Sequence, residues 1–317
     1  MLKRLIALLV VLAVLAGAYL AIDRLAPEPM AAGALKLQRG LAGMDQKQVQ
    51  IPGFDLAYIE NGAGEPLVLV HGIGADKDNF TPVAGLIKSL GRTIALDLPG
   101  FGESSKPADG DYSIPAQVEH LRAFLDALNI PAAHLGGSSM GGMIVASFAA
   151  KYPERTKSLW LLAPAGVATA PEAIVRQEFL KSGELLLFAQ TPEQFERVLD
   201  TVFYKRPPLP WSVRQKLAQR AVENYPLHAR IFAQITDHYG AWALEPKVEN
   251  LETPALIVWG EQDQALDVRG GAILKDLMPN AELVVIPDMG HLPMLEDPFR
   301  AARDYKAFRA KLGSAAE

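Results

Sequence analysis

The stretch LGGSSMGGM, residues 135–143, puts two adjacent serines inside a run of glycines. Only one of them sits in a G-x-S-x-G frame: Gly137 and Gly141 flank Ser139 at two residues on either side, whereas Ser138 has Gly136 before it and Met140 after it. The spacing matters for steric reasons. A strand that turns sharply into a helix brings the residues two before and two after the turn face to face, so both must lack side chains if the central residue is to stand exposed. The apolar run AHLGG before the serines and MGGMIVASFAAKY after them supply such a strand and helix. Ser139 is therefore the candidate nucleophile.

A serine hydroxyl is a weak nucleophile at neutral pH and needs a base to accept its proton, and the base needs an acid to orient it. Of six histidines, His291 in IPDMGHLPMLEDP follows the last apolar strand-like run at a glycine loop and precedes a terminal helix. His120 falls within a helical pattern, His228 and His238 within a long helical stretch, His134 at the entry of the serine strand, and His71 in HGIG. His291 is the expected base. For the acid, VWGEQDQALDV follows another strand-like run; Asp263 stands three residues past Gly260, with Asp267 and Asp288 as competitors. The resulting order is Ser139, Asp263, His291. Negative charge developing on a carbonyl oxygen needs backbone N–H donors. Met140, directly after the serine at a helix start, and Ile73, in the loop after LVLVHG, are the expected pair.

These residues need a scaffold that gathers them. PLVLVHG, RTIALDLPG, AHLGGSS, SLWLLAP, PALIVWG and AELVVIP are short apolar runs ending in turn residues, several of them apolar at consecutive positions. Strands buried on both faces read this way, as in a parallel sheet covered by helices. IPAQVEHLRAFLDALN between two of them carries Val118, Leu121, Phe124, Leu125 and Leu128 on one helical face. The fold class is α/β, a mostly parallel doubly wound sheet. Residues 167–250 break the rhythm. They read as helices only, including PEAIVRQEFLKSGELLLF, TPEQFERVLDTVF, WSVRQKLAQRAVENY and LHARIFAQITDHYGAWA, with a capping box at Thr191 and Gln194. An all-helical insertion of this length is expected to form a lid over the strand ends, where ligands bind in open α/β sheets.

The N-terminus carries Lys3 and Arg4, then an uncharged apolar run over residues 5–22. That run is long enough to cross about 30 Å of hydrocarbon as a helix. A cleaved signal peptide ending at AGA, residues 16–18, is the alternative, although the apolar run continues past it. The two cations favour a cytoplasmic N-terminus, which places the body outside the cytoplasm, in the periplasm if the source is bacterial. Residues 25–48 follow as a juxtamembrane helix, lying on the bilayer or packed on the body. The expected division is thus an anchor over 1–24, a juxtamembrane helix over 25–48, a core over 49–166 and 251–317, and a lid over 167–250.

Composition narrows the partners. The 317 residues are 50% hydrophobic with a net charge of −5, which gives no footprint for nucleic acid. There is no cysteine, so disulfides and thiolate sites are excluded. No histidine–carboxylate cluster has metal-ligand spacing, and no cofactor is implied. DLPGFGESS, residues 97–105, lacks both the dinucleotide glycine spacing and the P-loop lysine, and reads as a loop rimming the site.

With these motifs together the chain resembles the α/β-hydrolase superfamily over residues 50–312, and within it membrane-anchored monoacylglycerol lipases and bacterial membrane-bound phospholipases A1. The apolar N-terminus, GSSMGG, LLAPAG, QTPEQF, VWGEQDQALDV and GHLPMLEDP carry the resemblance. It implies a serine carboxylic ester hydrolase that cleaves acyl esters of monoacylglycerols or (lyso)phospholipids at a bilayer through an acyl-enzyme intermediate, with Ser139, Asp263 and His291 as its triad. It also allows a homodimer formed through the anchor region. A carbon–carbon bond hydrolase of the same fold is the competing enzyme reading; the apolar N-terminus weighs against it. A non-catalytic membrane-bound receptor on this fold is the third reading, and the complete triad weighs against that.

Overall fold

Eight strands form one sheet in a computed structural model that describes residues 2–236 and 239–314. They are β1 (Asp45–Ile51), β2 (Phe54–Asn61), β3 (Pro66–Val70), β4 (Arg92–Leu96), β5 (Ala133–Ser138), β6 (Thr156–Leu162), β7 (Ala255–Gly260) and β8 (Ala281–Ile286). Their order across the sheet is β1-β2-β4-β3-β5-β6-β7-β8. β1 pairs antiparallel with β2 and β2 antiparallel with β4; the remaining neighbours are parallel. All six apolar runs expected as strands are β3 to β8. β5, β6 and β7 are buried almost throughout, which explains their unbroken apolar sequences.

The helices are α1 (Leu2–Leu25), α2 (Pro27–Ala42), α3 (Thr81–Ile87), α4 (Ile114–Ala127), α5 (Met140–Lys151), α6 (Ile174–Ser182), α7 (Pro192–Val202), α8 (Trp211–Thr236), α9 (Glu245–Val248), α10 (Arg269–Leu277), α11 (Pro293–Glu296) and α12 (Pro298–Ser314). Apolar cores fill both faces of the sheet. One includes Leu121, Phe124, Leu135 and Phe148. The other includes Leu69, Trp160 and Tyr305, whose indole and phenol rings stack with centroids 4.3 Å apart. The insertion has a small core of its own, built on Phe195, Leu199, Phe203 and Ala218.

Three local features depart from the sequence reading. β1 starts at Asp45, inside the segment expected to be juxtamembrane, and β1 and β2 form a hairpin that turns at Gly53 with φ +84°. α6 ends at Ser182, because Gly183 adopts a left-handed conformation (φ +73°) and stops the helix before the ELLLF run. α8 is one helix where two were expected. It runs through Pro226, whose ring and missing N–H cost about 3 kcal/mol in a helix interior. Burial of Ala218, His228, Ile231 and Ile235 along its length offsets that cost. His238, placed in this stretch by sequence, lies outside the described residues.

The N-terminal segment is helical over the expected anchor, and Leu5, Ile6, Leu9, Val14 and Leu20 are exposed. Part of the expected span has side chains outside the described residues; among the described residues no helix is long and apolar enough to cross a membrane. α2 packs on the body. Arg39 grips Asp78 with two bonds of 2.6 and 2.5 Å, Asn61 donates to the Ala42 carbonyl at 2.8 Å, and Lys216 on α8 pairs with Glu28 at 2.6 Å. Asp23, buried at the end of α1, accepts from the Ser212 N–H in the first turn of α8, and the Arg24 guanidinium lies over Trp211.

Candidate active site

β5 delivers Ser139 to the carboxyl edge of the sheet. Its backbone is left-handed, with φ +55° and ψ −120°, a conformation that costs a non-glycine residue about 1–3 kcal/mol. The turn is pinned on both sides: Ser139 N–H donates to the Leu162 carbonyl at 3.0 Å, and its own carbonyl accepts from Ala165 N–H at 2.9 Å. The flanking glycines are required by contact. A Cβ on Gly137 would stand 2.3 Å from the Gly141 carbonyl oxygen, and one on Gly141 would stand 2.1 Å from the Val70 oxygen. Ser138 ends β5 fully buried, its hydroxyl without a partner among the described residues. Ser139 instead lines a cavity of about 300 Å³ together with His291.

Asp263 and His291 meet. The Asp263 Oδ2 lies 2.7 Å from His291 Nδ1 and also accepts from Trp259 Nε1 at 2.9 Å. Its Oδ1 accepts from the N–H groups of Ala265 at 2.8 Å and Leu266 at 3.0 Å. Every fixed partner of this buried carboxylate is a donor, so the proton between it and the imidazole belongs on Nδ1, and Nε2 carries the lone pair. Asp267 pairs instead with Arg269 at 2.6 Å, and Asp288 is exposed.

The loop that carries His291 is held from below. His291 N–H donates to the Val202 carbonyl at the end of α7, at 2.9 Å. Glu296 accepts from Gly290 N–H at 2.9 Å through Oε1 and from Lys205 N–H at 2.9 Å through Oε2. Burial pushes the Glu296 carboxyl above the usual range, against these backbone donors, and the nearby Asp263 charge adds to the rise. Gly290 can only be glycine here, since a Cβ would lie 2.5 Å from the Tyr204 nitrogen.

The loop after β3 carries Ile73 to the same cavity. Its neighbour Gly72 abuts the serine so closely that a Cβ would lie 3.0 Å from the Ser139 Cβ. Met140 opens α5, where a first-turn N–H has no intrahelical acceptor. His71 braces this loop: Nδ1 lies 2.7 Å from the Gly72 carbonyl and Nε2 accepts from Leu98 N–H at 3.1 Å. Complete burial lowers its pKa, in keeping with a neutral ring. Next to it, Lys77 and Asp97 form a buried pair at 2.7 Å, and Arg220 on α8 holds Asp76 at 2.8 Å. Asp97 is thus the anchor of the glycine-rich 97–105 loop. Glu296 and Lys77 escaped the sequence reading because each reaches a segment distant from it in the chain. Trp259 stands only four residues from Asp263, but its strand reads as core and nothing in the spacing marks its indole as a donor.

The family model for the alpha/beta hydrolase fold matches residues 65–298. The chain belongs to the α/β hydrolase fold family. Lipase 1 of Psychrobacter immobilis is 39% identical to this α/β hydrolase over 88% of each chain. Monoacylglycerol lipase ABHD6 of Homo sapiens is 28% identical over 84% of this chain and 82% of its own. Among solved structures, a membrane phospholipase A described as a bacterial virulence factor superposes with a TM-score of 0.88 at 37% identity, covering 98% of this chain and 99% of the other.

Proposed function

We propose that this α/β hydrolase is a membrane-anchored serine hydrolase that cleaves the acyl esters of monoacylglycerols or (lyso)phospholipids. The observation that carries the reading is the 2.7 Å contact of Asp263 with His291 on the same cavity that a strained Ser139 lines. Ser139 Oγ attacks the ester carbonyl carbon while His291 Nε2 takes its proton. The carbonyl oxygen becomes an oxyanion held by the N–H groups of Ile73 and Met140. The bond from carbon to the alcohol oxygen then breaks, and His291 returns the proton to that oxygen. Water repeats the sequence on the acyl-enzyme and releases the fatty acid. Similarity to a lipase, a monoacylglycerol lipase and a membrane phospholipase A supports the ester class.

The helical insertion serves as the lid, since Leu187, Phe195 and Leu217 from it line the cavity. Residues 5–22 serve as a single-pass anchor, with Lys3 and Arg4 in the cytoplasm and the body on the far side, the periplasm in a bacterium. Ser139→Ala abolishes turnover of short p-nitrophenyl esters and labelling by a fluorophosphonate; undiminished turnover overturns the nucleophile. Retention in the membrane pellet after a carbonate wash, with an intact N-terminus by sequencing, supports the anchor, and release into the supernatant overturns it.

A further inference from the structure

Two cavities diverge from one nucleophile. Ser139, Ile73 and Leu187 line both. The first runs from His291 past Leu295, Leu217 and Ala221 to Leu35 and Gln38 on α2. The second, about 280 Å³, runs past Met140 and Met143 to Val175, Phe179 and Phe232. His291 belongs to the first limb and not to the second.

That asymmetry assigns the limbs. In the tetrahedral intermediate the former carbonyl carbon bears the Ser139 oxygen, the oxyanion, the alcohol oxygen and the acyl chain. His291 must hand its proton to the alcohol oxygen, within hydrogen-bond reach. The alcohol therefore departs on the side His291 occupies, and the acyl chain leaves the carbon on the other side. The second limb suits a chain: Met140, Met143, Val175, Phe179 and Phe232 wall it, and its charged groups are paired, Arg176 with Glu172 and Asp267 with Arg269.

The first limb describes the alcohol. Its charged groups are satisfied within the protein: Asp76 by Arg220, Asp78 by Arg39, and Lys216 by Glu28. The amides of Gln38 and Asn79 also line it, and among the described residues neither side chain has a hydrogen-bond partner. Paired charges leave little to hold a phosphate, whereas amides donate to and accept from hydroxyls.

We propose that the scissile acyl chain lies in the limb past Met143 and Phe232, and that the limb walled by α2 receives an uncharged glyceryl leaving group whose hydroxyls meet Gln38 and Asn79. This rests on the ester hydrolase reading above. It makes α2, the helix that follows the proposed anchor, a wall of the alcohol site.

The test is steady-state kinetics of the full-length enzyme in detergent micelles. Substrates are p-nitrophenyl butyrate, octanoate and palmitate, monopalmitoylglycerol, and palmitoyl lysophosphatidylcholine. Val175→Trp shortens the acyl limb and lowers kcat/KM for palmitate about tenfold or more relative to butyrate. Ala221→Trp keeps the chain-length order of the p-nitrophenyl esters and lowers kcat/KM about tenfold on them and on monopalmitoylglycerol alike, because both leaving groups enter the limb it fills. Gln38→Ala lowers monopalmitoylglycerol turnover severalfold more than it lowers p-nitrophenyl palmitate turnover. Exchange of the first two phenotypes overturns the limb assignment. Lysophosphatidylcholine cleaved faster than monopalmitoylglycerol, or indifference to Gln38→Ala, overturns the uncharged glyceryl site. A wild-type enzyme inactive on every ester counts against the ester hydrolase reading itself, and so against both. Should either tryptophan variant misfold, a crystal structure of the wild-type enzyme trapped with a dodecylphosphonate on Ser139 decides. An alkyl chain beside Phe232 supports the assignment, and one beside Leu217 overturns it.

Discussion

Trp259 donates its indole N–H to Oδ2 of Asp263, the same oxygen that meets His291, so one carboxylate at the end of β7 ties the strand to the loop after β8. With Ala265 and Leu266 on the other oxygen, Asp263 faces four donors. An asparagine there turns its NH2 toward donors whichever way the amide flips. Asp263→Asn is expected to keep the fold and lower kcat on p-nitrophenyl butyrate by roughly 10⁴, the loss that follows when the imidazole is held in the wrong tautomer. Wild-type kcat in this variant contradicts the assigned role.

Glu296 is expected to position His291, the proposed base, without touching substrate. Its two oxygens take the N–H groups of Gly290 and Lys205, binding the His291 loop to the chain that leaves α7. Glutamine offers one acceptor oxygen for two N–H groups, and an orphaned buried donor costs about 1–3 kcal/mol. Glu296→Gln should lower kcat about tenfold with little change in KM, and Glu296→Ala further, while fluorophosphonate still labels Ser139. Equal kcat in all three enzymes would mean that the bond from His291 to Val202 holds the loop alone.

What could be read from the chain follows how local each signal is. The turn at Ser139 was legible because it is a steric problem solved within five residues. Asp263 and His291 were legible because both stand in loops after apolar runs, and parallel strands bring those loops to one edge. β1 was not legible: Asp45, Gln46, Lys47 and Gln48 are exposed at the sheet edge, so no apolar pattern marks them. The continuity of α8 was hidden by Pro226, whose cost is met by packing between distant segments. The hold of Glu296 on Lys205 spans 91 residues, beyond any spacing rule.

Two glycine substitutions separate contact from propensity. Gly141→Ala forces a Cβ against the Val70 carbonyl in the middle of the sheet, where nothing flexible can yield. It should produce insoluble or inactive protein. Gly33, inside α2, has open space where a Cβ would stand. Gly33→Ala should stabilise by about 1 kcal/mol through helix propensity alone, seen as a raised Tm with unchanged kcat. A folded, active Gly141→Ala enzyme would contradict the elbow geometry.

Acid should loosen the fold through buried histidines before it reaches the carboxylates. His134 places Nδ1 2.7 Å from Ser158 Oγ and Nε2 3.1 Å from Glu65. Burial first, and then the Arg309 cation, push its pKa down to about 4. His228 is also pushed down to about 4, by burial and then by neighbouring His71. Below about pH 6.5 the unfolded chain binds protons at both sites that the folded chain refuses until about pH 4. Their contribution is therefore fully present above that upper value and is lost as pH falls through the window, on the order of 3 kcal/mol for each ring. Glu65, held down to about 2 by Lys157 and then His134, adds its own loss only at lower pH still. Thermal melts at about pH 7.5 and about pH 5 should show a clear drop in Tm for the wild type. His134→Gln should narrow that drop; an unchanged drop would mean that His134 takes up its proton in the folded chain as readily as in the unfolded one.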